Sequence, residues 1–277
     1  MARIAVSPTK LDTWQDCPRR YWLKYVEKVR VDGRWAHLSM GNAVHGALRD
    51  WFDLADRGPA DARELVRKHW SSDGFRDEAH SDQWRSIAAQ MVTAYLEQHH
   101  DDVPFSRERT LGSMTEHASI SGRIDRLDES CADDALPGEL IVIDYKTGRR
   151  VPGDDDARVS RALAIYCEIV QRSLRRPAFT VQLHHVPTGV VATARHTPES
   201  LQRQLARVDA LARDIAAAEA TRDLAACAPA PGPLCAWCDF RAHCPSGDHV
   251  PAVARWAGLQ EADESMTESM IAHDSQP

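Results

Sequence analysis

The chain has 277 residues, 43% hydrophobic and 27% charged, which is the balance of an ordinary globular protein with room for a substantial core. No apolar run approaches the roughly 18 to 20 residues a membrane helix needs, and MARIAVSPTKLDTW lacks a basic stretch followed by an apolar one, so a cytoplasmic location and no membrane partner are expected. The net charge of −7 excludes little, because no Lys or Arg follows Arg255 while Glu261, Asp263, Glu264, Glu268 and Asp274 do, and a nearly neutral body can still carry a basic groove.

Ser7-Pro8 forms a helix start, with Ser as N-cap and Pro at the first helical position. Leu11 and Trp14 give that helix an apolar side, and Cys17-Pro18 ends it or begins a second turn. The stretch 19–31 mixes Tyr21, Trp22 and Tyr25 with Arg19, Arg20, Lys24, Lys28 and Arg30 and reads as amphipathic and basic. Val44, Ala47, Leu48, Trp51, Phe52 and Ala55 recur at helical spacing over 41–56. Asp61 and Glu64 resemble a capping box for a third helix, and Trp84, Ile87, Met91 and Tyr95 lie on a fourth.

Strands are expected over 110–117, 119–127 and 140–146, the last opening with the continuous run Leu140-Ile141-Val142-Ile143 of a strand covered on both faces. A helix over 156–174, strands over 179–186 and 190–196, and a helix from Thr197-Pro198 to about Ala220 follow. This order gives the α/β class, a mixed sheet flanked by helices with a helical N-terminal region. We divide the chain into one domain over 1–249 (a helical region over 1–105, a core over 106–225 and a cysteine segment over 226–249) and an acidic flexible tail over 250–277.

Two stretches carry chemistry, Gly122-Arg123-Ile124-Asp125-Arg126 and Asp144-Tyr145-Lys146-Thr147-Gly148. Strand alternation puts Asp144 and Lys146 on one face and Tyr145 on the other. A hairpin centred near Asp134-Ala135 sets Asp125 opposite Asp144, with Cβ atoms about 4.5 to 5.5 Å apart. Carboxylates that close repel unless one is protonated or a cation lies between them. Oxygen donors suit Mg²⁺ or Mn²⁺, which polarises a phosphate oxygen and lowers the pKa of bound water, and Lys146 is placed to orient or deprotonate that water. A lone D-x-K is more often a surface ion pair; here the apolar strand before it, Thr-Gly after it and the upstream G-x-x-D-R favour the catalytic reading. His45 sits at the edge of an apolar helix face, where a structural histidine is the commoner case, although Gly41, Ala43 and Gly46 leave room beside it.

Of seven cysteines, three (Cys235, Cys238, Cys244) crowd into ten residues, which in a reducing compartment points to a metal or cluster rather than disulfides. A closed tetrahedral site needs a fourth donor, and His243 and Cys227 are candidates if the metal is zinc. Cys131, Cys167 and Cys227 otherwise read as ordinary thiols.

Together these motifs, with Ser7-Pro8-Thr9-Lys10-Leu11, Cys17-Pro18, Gly41-Asn-Ala-Val-His45, Tyr166 and Cys244-Pro245, resemble the RecB-type exonuclease branch of the PD-(D/E)XK nucleases. Similar members include CRISPR-associated and AddB-type nucleases that carry an iron–sulfur staple. The resemblance covers residues 7 to about 245 and implies a restriction-endonuclease-like sheet and metal-dependent DNA exonuclease activity in repair, recombination or foreign-DNA processing. It also implies a metal held by His45, Asp125, Asp144 and the Tyr145 carbonyl, Lys146 as catalytic lysine, Tyr166 on the DNA backbone, and a [4Fe-4S] cluster on Cys17, Cys235, Cys238 and Cys244. One departure is that family members commonly carry Gln three or four residues before this tyrosine, where Ala162 and Leu163 stand.

Arg149, Arg150, Arg172, Arg175, Arg176 and the 19–30 segment are candidate phosphate contacts, and Tyr21, Trp22 and Trp237 candidate base-stacking groups, for DNA that is single-stranded or has free ends. No G-x-x-x-x-G-K-[ST] occurs, so a helicase or integrase partner would have to supply any motor or joining activity. The alternative reading is a DNA-binding iron–sulfur subunit of such a complex with an unused active site.

Overall fold

A computed structural model describes residues 3–259 of the chain. It opens with an unanticipated strand, β1 (Ile4–Val6), too short for alternation to announce it and created by parallel pairing of Ile4 with Ala118 and Val6 with Ile120. Ser7 then caps α1 (Pro8–Asp16), its hydroxyl accepting from the Lys10 N–H. Cys17, in extended conformation, ends α1 and starts α2 (Pro18–Tyr21), its Sγ accepting from the Arg20 N–H. A π-helical turn over Trp22–Val26 completes the segment.

Three longer helices form one layer: α3 (Ala36–Trp51), α4 (Pro59–His69) and α5 (Glu78–Gln98). Asp61 does not cap α4 as expected; it lies inside the first turn and accepts from the N–H of Gly58, the actual cap, while Glu64 faces outward against Arg67. The strands β2 (Ser106–Met114), β3 (Ala118–Glu129), β4 (Leu140–Lys146), β5 (Thr180–His185) and β6 (Val190–Arg195) complete a six-stranded mixed sheet. Between β4 and β5, the single helix expected over 156–174 is two, α6 (Asp154–Val159) and α7 (Arg161–Leu174), because Ser160 leaves helical geometry and caps α7 with its hydroxyl. The last long helix, α8 (Pro198–Thr221), starts at the expected Thr197 cap.

Both faces of β4 are buried, as its sequence required. Leu140 and Val142 pack with Leu163, Val170 and Leu183 on the α7 side, and Ile143 and Tyr145 pack with Leu48, Val92 and Tyr95 on the α3–α5 side. The α3–α5 layer therefore covers one face of the sheet. Because β2 occupies β3 from Ser119 to Leu127, β1 and β4 share its other edge, β1 at 118–120 and β4 at 126–129. The residues of β3 between those two pairings face the functional site.

Packing continues past residue 250. Arg255 pairs with Asp239 and its carbonyl accepts from the Ala36 N–H, while the buried Leu259 packs in the α3–α5 layer and its carbonyl lies 2.8 Å from His80 Nε2. Residues up to 259 thus belong to the folded body, held there by Trp256 and Leu259, the apolar residues in a segment read for its acidity. The rest of the expected acidic tail lies outside the described residues. Among the described residues, no helix is long and apolar enough to cross a membrane.

Candidate active site

The β3–β4 register pairs Arg126 with Ile143 and Glu129 with Leu140, the offset that sets Asp125 across from Asp144. Beyond the last of these pairs, the Asp125 carboxylate accepts from the Tyr145 N–H at 2.9 Å, a side chain substituting for a ladder carbonyl. Asp125 is thereby fixed from the backbone of the strand that carries Asp144 and Lys146. Those two are ion-paired through Lys146 Nζ and Asp144 Oδ2, with Asp144 mostly buried and Lys146 facing solvent.

His45 reaches in from α3, its Nδ1 3.4 Å from Asp125 Oδ1 and 3.9 Å from Glu108 Oε1. Gly46 beside it has no room to spare: a Cβ there would stand 2.7 Å from His69 Cγ, and one at Gly41 3.4 Å from Thr147 Oγ1. The space read from the small residues is therefore taken by neighbouring side chains that hold α3 in place.

Glu108 is the donor that sequence reasoning missed. It lies on β2 between Arg107 and Arg109, which pair with Arg126 and Ile124, so it faces Asp125. Its backbone is left-handed (φ 46°), a conformation costly for a residue with a Cβ. The antiparallel register of β2 on β3 is the signal that could have found it, but the strand was expected to begin only at Thr110 and so left Glu108 out.

His45, Glu108 and Asp125 each offer a ligand atom within 4.8 Å of the others. Their electrostatics are those of an anionic cluster short of a cation. Burial and the Asp125 charge push the Glu108 carboxyl up, against Arg123 and His45. Burial, with Asp125, also raises the Asp144 carboxyl, against Lys146. For His45 burial opposes the charge, but Asp125, Asp144 and Glu108 outweigh it and hold the ring's pKa up. A divalent ion would relieve all three, and two carboxylates with an imidazole form a donor set suited to Mg²⁺ or Mn²⁺. Asp144 stands beside this triad, adjoining it with the Lys146 amine.

The Tyr145 ring turns to the other face of β4, buried edge-on to His45 (5.8 Å, 87°) and to Tyr95 (5.7 Å, 85°). Tyr166 on α7 lies directly over Gly122, where a Cβ would come within 2.4 Å of its ring. The glycine of G-x-x-D-R is thus the seat of that tyrosine. His45, Asp125, Lys146, Arg149 and Tyr166 all line one open cleft of about 1550 Å³.

Several expected nucleic-acid contacts lie elsewhere. Tyr21 and Trp22 are core residues, 1% and 4% exposed, because the aromatic side of 19–31 packs inward, so neither is available for stacking. Arg150 pairs with Asp156, Arg172 with Glu168 and Arg176 with Glu129, none of them lining the cleft, whereas Arg149 stands at its rim. Leu163, at one of the positions where Gln was expected, is wholly buried in the α7 core.

Cys17, Cys235, Cys238 and Cys244 surround a second, small hollow, and neither Cys227 nor His243 lines it. Backbone N–H groups of Arg20 and Ala230 reach Cys17 Sγ, and that of Gly232 reaches Cys235 Sγ. Among the described residues no three of these sulfurs lie within 4.8 Å of one another.

No curated protein matches the chain. Among solved structures, the crystal structure of "Putative exonuclease" from Eubacterium rectale is similar at 13% identity and a TM-score of 0.46, over 76% of this chain and 79% of that one. The sequence profile of the PD-(D/E)XK nuclease superfamily matches residues 5–245, a span that takes in α1, the G-x-x-D-R and D-Y-K strands and all four clustered cysteines. The chain belongs to the PD-(D/E)XK nuclease superfamily.

Proposed function

We propose that this chain is a divalent-cation-dependent DNA exonuclease of the RecB type, stapled by a [4Fe-4S] cluster and acting in repair, recombination or foreign-DNA processing. The observation that carries the reading is the convergence of His45, Glu108 and Asp125 in one cleft that Lys146, the ion-pair partner of Asp144, also lines.

His45, Glu108, Asp125 and Asp144 would hold Mg²⁺ or Mn²⁺, with the Tyr145 carbonyl as a backbone ligand. The ion supplies Lewis acidity toward a phosphoryl oxygen and acidifies the attacking water. Lys146 Nζ, an ammonium at the exposed end of β4, would orient that water for in-line attack and offset charge growing on the phosphoryl oxygens, the water's proton passing to solvent. As the new P–O bond forms and the old one to the sugar oxygen breaks, a proton from solvent completes the leaving alcohol. Tyr166, seated on Gly122, and Arg149, at the rim, position the strand's phosphates.

The four cysteines lining one hollow support a thiolate-held cluster, with Cys17 as the remote ligand. It would tie α1 and α2 to the segment after α8, and anaerobically purified protein should be brown. The cleft is open, which suits a strand with a free end delivered by a helicase or integrase partner.

Digestion of oligonucleotides labelled at either end, single-stranded and duplex, with Mg²⁺ or Mn²⁺ tests the reading. We expect mononucleotides or short products released from one end. DNA binding with no degradation under either ion would overturn it in favour of a DNA-binding subunit.

A further inference from the structure

Arg123 lies two residues before Asp125 on β3 and so shares its face of the strand. It lines the cleft, and its guanidinium Nε is ion-paired with Oε2 of Glu108, the carboxylate whose other oxygen faces His45. One side chain is therefore contested by two cations, the guanidinium and any ion held by His45, Glu108 and Asp125. Lys146 and Arg49, also in the cleft, pair with Asp144 and Asp50, outside that triad. Arg123 is 58% exposed at its side chain, so nothing packed around it confines it to Glu108. A guanidinium also matches two oxygens of a phosphate as well as it matches a carboxylate.

We propose that Arg123 is a phosphate-binding residue which Glu108 holds in reserve until a divalent cation claims that carboxylate. The inference rests on the nuclease reading above. In the cation-free protein the guanidinium offsets the crowded acids. Cation binding removes its partner's charge and frees the fork to grip a phosphoryl oxygen of the strand, so that this contact forms only when the site is loaded. A merely structural counter-ion would do the reverse: its loss would leave Glu108 less well held, weaken cation binding, and leave cleavage unchanged once the metal is saturating.

The test pairs two measurements on wild type, Arg123→Gln and Arg123→Lys. Mn²⁺ affinity of the DNA-free protein, followed by the EPR signal of free Mn²⁺, should tighten about tenfold in Arg123→Gln, because a competing positive charge has gone. Cleavage of an end-labelled single strand at saturating Mn²⁺ should fall about 100-fold in the same variant, the scale of one lost contact to transition-state charge. Arg123→Lys, which keeps the charge and loses the fork, should bind Mn²⁺ like wild type and cleave at an intermediate rate. Unchanged or weaker Mn²⁺ binding in Arg123→Gln, or wild-type cleavage by it at saturating Mn²⁺, overturns the assignment while the nuclease reading stands. Wild type that binds Mn²⁺ and cleaves nothing overturns both, and is told apart by the parent protein's own inactivity.

Discussion

The carboxylate site and the thiol site are built in opposite ways. The first is assembled from strands β2, β3 and β4, which are close along the chain, and from a helix that covers them; its geometry follows from register. The second joins Cys17 to residues more than 200 positions away, and no regular element lies under most of it: Cys235 sits in a single-turn helix and Cys244 just after another. Register-built sites tolerate loss of one donor because the strands remain paired. A site that closes nearly the whole chain contributes its binding energy to folding itself. The two regions should therefore fail differently, one in chemistry and the other in stability.

The largest effect is expected from the thiols. Cys17→Ser or Cys238→Ser should give protein that is colourless and fails to reach the cooperative melt of wild type by circular dichroism. A variant that melts like wild type would mean that the hollow is an ordinary small core. Next come Asp144→Ala and Lys146→Ala, which should cost about 10³-fold or more in Mn²⁺-dependent cleavage while leaving the melt intact. Unfolding in these variants would blur the contrast, and full activity would end it.

A smaller effect is expected where the site meets the core. Gly122→Ala places a methyl 2.4 Å from the Tyr166 ring, and the shift it forces should destabilise by about 1–3 kcal/mol in urea unfolding and weaken DNA binding. Gly122→Ala as stable as wild type would show that Tyr166 moves freely, against its role as a fixed contact.

The smallest concerns the buried layer behind Tyr145. His184 is held neutral by burial, with the neighbouring His99 and Arg126 adding to the effect, so that its pKa falls to about 3. Its Nδ1 accepts from the Tyr95 hydroxyl at 2.6 Å, and Nε2 donates to Gln182 Oε1 at 2.9 Å, an arrangement that suits the neutral ring. The unfolded chain binds a proton near pH 6.5 and the folded chain does not, so this contribution is complete above about pH 6.5 and declines as the pH falls toward 3. Stability measured from pH 7 to pH 4 should fall less steeply in His184→Gln, with an identical slope as the contrary result.

How much of this was legible in the sequence follows the same division. The run Leu140–Ile143 marked the start of β4, and the hairpin offset from Asp134-Ala135 is the one that pairs Arg126 with Ile143 and sets Asp125 across from Asp144. Cys17 joined the three later cysteines through resemblance; nothing in its local sequence announces a partner so distant. Glu108 escaped because β2 was expected to begin only at Thr110, four residues after its start at Ser106, and Tyr21 and Trp22 misled because a basic, aromatic helix looks the same whether its rings face bases or a core. The packed segment before residue 260 was hidden by averaging over 250–277: the acidic residues of that stretch begin only at Glu261, whereas the anchoring falls to Trp256 and Leu259.

The central claim is that a small set of donors on neighbouring strands and one helix grips a single divalent ion. Mn²⁺ binding to wild type and Asp125→Asn, titrated by EPR without DNA, tests it most directly. One site per chain, lost or weakened at least about tenfold in Asp125→Asn, is the expected result. Wild type that takes up no Mn²⁺, or Asp125→Asn that binds it equally well, would contradict the account.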